Sequence, residues 1–73
     1  MPLAGLSPQE LSVLFLVLRK INQGFRKISV RGIAHDAKCG MQLAQNMLNM
    51  ISITLHSLHI SLTKENDELW RVI

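Results

Sequence analysis

A chain of 73 residues makes one small domain, which buries only about 60% of the surface its unfolded form exposes. An apolar share of 48% excludes a disordered chain, and the single cysteine, Cys39, excludes an internal disulfide and points to an intracellular setting. A formal charge of +3 leans towards polyanionic partners.

The longest apolar run, Leu11–Leu18, falls about ten residues short of a membrane span, so no membrane association is expected. Met1–Glu10 lacks the positive charge that opens a secretory leader. His35, His56, His59 and Cys39 lack paired-ligand spacing, so neither metal nor other cofactor is expected. No nucleophile–base pair, carboxylate pair or phosphate loop is visible, and an enzyme is not expected.

The first element opens at Leu6-Ser7-Pro8-Gln9-Glu10-Leu11. Ser7 suits the N-cap, Pro8 the first helical position and Glu10 the capping-box carboxylate, with Leu6 and Leu11 as a hydrophobic staple. The helix should reach about Asn22, with Arg19 and Lys20 near its negative end and Gly24 beyond. Leu11, Leu14, Phe15, Leu18 and Ile21 make one face; Val13, Leu16 and Val17 make a second. That second face has two destinations: the chain's own core, or a homodimer or protein partner that covers helix 1.

Phe25–Ile28 is a short, β-prone stretch, after which Ser29 can cap a helix over Val30–Ala37. Gly32 inside that helix costs about 1 kcal/mol. Lys38-Cys39-Gly40 reads as a turn, with Cys39 a half-buried filler, and a third helix should run from Met41 to about Leu55. Helix, tight turn and longer helix is helix-turn-helix grammar, with the later helix free to enter a DNA groove.

On the third helix Ala44, Leu48, Ile51 and Leu55 form a buried stripe at i, i+4, i+7 and i+11. Gln42, Gln45, Asn46 and Asn49 form another face, of amides alone. Each amide offers a donor and an acceptor together, which matches the adenine edge in the major groove. The competing reading is a solvated face that contacts nothing. Leu43, Met47 and Met50 make a further stripe, packed on helix 1 or the hairpin, or else open to a partner. The third helix carries no Lys or Arg, so phosphate contacts fall to Arg26, Lys27, Arg31, Lys38 and Lys64.

Ser57–Thr63 alternates polar and apolar residues and predicts a strand with His59 outward, while His56 lies in the connection and His35 on the exposed side of helix 2. Lys64-Glu65-Asn66-Asp67 is a turn by composition, and Glu68–Ile73 returns as a strand with Trp70 inward. The fold class expected is mainly α with a small β-hairpin (α+β), with the three histidines structural.

The order helix, short strand, helix, turn, helix, hairpin resembles the winged helix-turn-helix superfamily of small DNA-binding regulators. Its second and third helices read IAxxAxxxxxxAxxxLxxI, here Ile33, Ala34, Ala37, Ala44, Leu48 and Ile51, and the opening Leu6–Leu11 also looks like the first helix of such regulators. The resemblance implies one winged helix-turn-helix domain over residues 1–73, whole or cut from a longer protein. It implies that Met41, Gln42, Gln45, Asn46 and Asn49 dock in the major groove of double-stranded DNA, with the wing near Lys64 on the backbone or minor groove. Transcription regulation is the function implied. The alternative is a winged helix used as a protein-interaction module within a larger assembly.

Overall fold

Ser7 starts the first helix by reciprocal capping. Its Oγ accepts the Glu10 N–H at 3.2 Å, and its own N–H donates to Glu10 Oε1 at 3.2 Å. Pro8 follows at the first helical position, as expected. The computed structural model describes residues 7–73, so Leu6, half of the expected staple, lies outside the described residues. The elements are α1 (Pro8–Asn22), β1 (Lys27–Ser29), α2 (Val30–Ala37), α3 (Met41–Ser57), β2 (Leu62–Asn66) and β3 (Leu69–Val72). The class is therefore α+β: three helices with a three-stranded antiparallel sheet in the order β1-β3-β2.

Ser29 ends β1 and caps α2, its Oγ accepting the Gly32 N–H at 3.1 Å. Lys38 then turns the chain in the left-handed region (φ 55°, ψ 48°), and the Cys39 N–H closes back on the Ala34 carbonyl at 2.9 Å. Gly40 leads into α3 without a side-chain cap. Ala44, Leu48, Ile51 and Leu55 are all fully buried, so the expected stripe is the spine of the core. Leu14 and Val17 of α1, Ile28 of β1, Ile33 of α2 and Trp70 of β3 pack around it.

Two expectations fail at the hairpin. Only Leu62 and Thr63 of the expected strand Ser57–Thr63 are strand, at the start of β2: α3 continues through Ser57, and His59 is left-handed (φ 63°) rather than extended. Alternation of Leu58, Ile60 and Leu62 fits a helix end followed by coil as well as a strand. Here the helix wins because the Leu55 carbonyl accepts the N–H groups of both Leu58 and Ile60, each at 2.9 Å. His56 accordingly lies in the last turn of α3, not in the connection. The expected turn Lys64–Asp67 is mostly strand, and the reversal sits at Asp67-Glu68. The register steps from Lys64↔Trp70 to Asn66↔Leu69, which leaves Glu65 as the extra residue of a β-bulge.

Of the two destinations open to the second face of α1, the chain's own core takes Val13 and Val17, which are fully buried, while Leu16 is half-buried. Phe15, from the opposite face, is 62% exposed. The helices α2 and α3 thus pack on the Val13–Val17 side of α1, and the leftover apolar surface is elsewhere. Among the described residues no helix is long and apolar enough to cross a membrane.

Candidate nucleic-acid interface

Rotation along α3 divides its outer surface. Ala44, Leu48, Ile51 and Leu55 point inward, so Gln42, Asn46 and Asn49 necessarily fall on the solvent side. Across from them stands the β2–β3 hairpin, held against the helical body because β1 pairs with β3. The space between α3 and the hairpin is an open cleft. Met41, Gln42, Gln45, Asn46 and Asn49 line one side; Lys64, Asp67 and Glu68 line the other.

All five residues expected to read bases therefore reach one cleft, together with Lys64. Gln45, however, is not an exposed member of the row. It is 8% exposed, and both ends of its amide are engaged: Oε1 accepts from Trp70 Nε1 at 2.9 Å and Nε2 donates to the Asp67 carbonyl. Buried, with its oxygen and one of its two N–H groups held within the chain, this amide is not presented to a base edge. The row is reduced to Gln42, Asn46 and Asn49. Gln42 Nε2 donates to Asn46 Oδ1 at 3.2 Å, an exposed bond one helical turn long.

The cations divide in two groups. Lys64 lies in the cleft and meets Asp67 at 3.3 Å; Arg31, at the start of α2, meets Glu68 at 3.9 Å. Both pairs are largely exposed, where ion pairs contribute about 0–1 kcal/mol and exchange readily for another anion. Lys38 sits in the turn just ahead of α3. Arg26 and Lys27 do not line the cleft: Lys27 lies opposite Arg71 in the sheet register, and Arg71 is paired with Glu65 at 2.7 Å.

Asp67 and Glu68 were not among the expected site residues, though their place in the hairpin tip was visible from composition. Asp67 meets Lys64 within the hairpin, three residues apart, whereas the nearness of Glu68 to Arg31 follows from the β1–β3 pairing, just beyond which the Val30 N–H donates to the Glu68 carbonyl at 2.9 Å. The Leu43–Met47–Met50 stripe also splits. Met47 is buried beneath the α1–α3 contact, while Leu43 and Met50 are 43% and 47% exposed. His35, His56 and His59 are exposed, Cys39 is half-buried, and no group of three or more His, Cys, Asp or Glu gathers among the described residues.

No protein family, curated protein or solved structure matches this chain.

Proposed function

We propose that this chain is a winged helix-turn-helix that binds double-stranded DNA sequence-specifically, in transcription regulation. In this reading α3 lies in the major groove and the β2–β3 hairpin is the wing. The observation that carries it is the convergence of Gln42, Asn46, Asn49 and Lys64 on one open cleft, with Arg31 beside it. The three amides match adenine edges, and Arg31, Lys38 and Lys64 hold phosphates. Asp67 and Glu68 give up their ion pairs to the backbone as the duplex enters.

The test is duplex binding over a salt series. Three phosphate contacts predict a slope of log K on log salt near −2.7, from about 0.9 per contact. Arg31→Ala should flatten it by about 1 for every sequence alike, whereas Asn46→Ala should change sequence preference. Absence of binding at low salt overturns the reading.

One observation favours a second reading, a protein-interaction module. The whole of α3 lacks Asp, Glu, Lys and Arg, and Leu43, Met50 and Ile53 stand exposed on it, Ile53 at 69%. A protein partner seated there would be lost on Ile53→Glu, a change that leaves Arg31 and Lys64 in place.

A further inference from the structure

We infer that the groove between the outer edge of β2 and the C-terminal half of α3 receives an extended peptide of a partner protein, added to the sheet as a strand antiparallel to β2. The inference stands apart from the DNA reading, whose amides lie nearer the start of α3. β2 is an edge strand, and among the described residues it pairs with β3 alone. The Ile73 N–H donates to the Ser61 carbonyl at 2.9 Å, which makes Ser61 and Ile73 a bonded pair. Thr63 and Arg71 form the next bonded pair in that register. On the other side of β3 the Val72 N–H donates to the Arg26 carbonyl at 2.8 Å, so Val72 turns its groups to β1 and not to Leu62. Leu62 and Lys64 therefore aim both N–H and C=O away from β3, at the open edge.

Two features select an extended backbone as the occupant. The first is the row of partial charges along that edge, positive at each N–H and negative at each carbonyl, spaced for another strand. A helix bonds its own backbone groups internally and cannot match the row. The second is what lies beside the place a strand would take, about 4.8 Å beyond β2. Ile53 of α3, 69% exposed, and half-buried Ile60 line the groove with His56 and Thr63, and no Asp, Glu, Lys or Arg lines it. Strand edge and groove together bind an added strand by its backbone and select it by alternate side chains. The bulge at Glu65 ends the regular edge beyond Lys64, so the bonded stretch is short and the binding weak.

Antiparallel pairing fixes the part each guest residue plays. A guest residue bonded to Leu62 or Lys64 lies directly opposite and shares its face, and Leu62 is turned to the core. Its N–H then points at β2 while its side chain points towards α3 and Ile53. The residues between turn their N–H groups away from β2 and their side chains to solvent. Apolar guest residues belong at the bonded positions.

The probe is an acetylated, amidated peptide of alternating valine and threonine with a lysine at each end, titrated into the chain to about 1 mM and followed by NMR. Amide exchange at Leu62 and Lys64 should slow at least about tenfold, a change absent at Thr63, whose N–H already bonds to β3. Methylating the peptide nitrogens of the threonines should leave affinity within about twofold, and methylating those of the valines should weaken it at least about tenfold. Ile53→Ser should weaken the unmethylated peptide several-fold. No protection at Leu62 and Lys64, equal affinity of the two methylated peptides, the reverse preference, or unchanged affinity on Ile53→Ser overturns the inference. So does concentration-dependent protection of those amides in the chain alone, which would give the edge to a second copy. None of these readouts involves DNA, so their failure leaves the DNA reading where it was.

Discussion

Gln45 and Trp70, 25 residues apart in sequence, lock the hairpin to α3 through the hydrogen bond from the indole Nε1 to the amide Oε1 at 2.9 Å. The same amide donates to the Asp67 carbonyl at the hairpin tip. One side chain thus fixes both the wall and the end of the cleft. Gln45→Leu keeps the volume but leaves the buried indole N–H without an acceptor, which costs about 1–3 kcal/mol. Urea denaturation should show that loss, with an unchanged m-value. A loss below about 0.5 kcal/mol would mean the hairpin is held by apolar packing alone.

Helix boundaries were legible because their causes are local. Ser7, Pro8 and Glu10 lie within four residues, and Ser29 needs only the Gly32 N–H three residues on. The buried stripe of α3 followed from periodicity. Gln45 was misjudged because Gln42, Gln45, Asn46 and Asn49 share one chemistry, and spacing alone does not tell which amide turns towards an indole 25 residues away. The hairpin was misplaced for a similar reason. Its bulge at Glu65 and its attachment through β1 are long-range facts, and the alternation at Leu58, Ile60 and Leu62 carried no sign of the left-handed turn at His59. The outward face of α1 depended on which of two apolar stripes the other elements chose to cover.

Gly32 lies inside α2 with ordinary helical geometry, so its flexibility serves no turn. A methyl group added there would meet Ser29 Cβ at 3.6 Å and Ser29 Oγ at 3.7 Å, both normal contacts. Its N–H would still donate to Ser29. Gly32→Ala should therefore stabilise the fold by about 0.5–1 kcal/mol. Thermal unfolding should move upward by several degrees; a decrease would show that the α2 start has no room after all.

Lys38 is strained in the opposite sense. Its φ of 55° suits glycine better than a residue with a side chain. Lys38→Gly should gain up to about 1 kcal/mol in stability, because relief of that strain exceeds the added entropy of the unfolded chain. If Lys38 holds a phosphate, the same variant should bind duplex more weakly, with a salt slope flatter by about 1. Stability and affinity would then move in opposite directions in one protein. Equal salt slopes for the variant and the unmodified chain would remove Lys38 from the phosphate set.

Glu68 offers the sharpest test of how the cleft treats an anion. Its carboxylate lies 3.9 Å from Arg31 and lines the space opposite Asn46 and Asn49. In the proposed DNA reading it therefore both occupies a cation and repels the phosphate backbone. Glu68→Gln keeps the shape of the hairpin tip, since the backbone bonds at Glu68 use only its N–H and carbonyl. The exposed ion pair contributes about 0–1 kcal/mol, so stability should barely change. Duplex affinity at low salt should rise several-fold for all sequences, because removing a like charge near a phosphate acts on the backbone rather than on base edges. The gain should fade as salt is raised. A variant whose affinity is unchanged at low salt would place the duplex away from the hairpin tip, and one whose affinity falls would make Glu68 a contact in its own right, as an acceptor for a cytosine amino group.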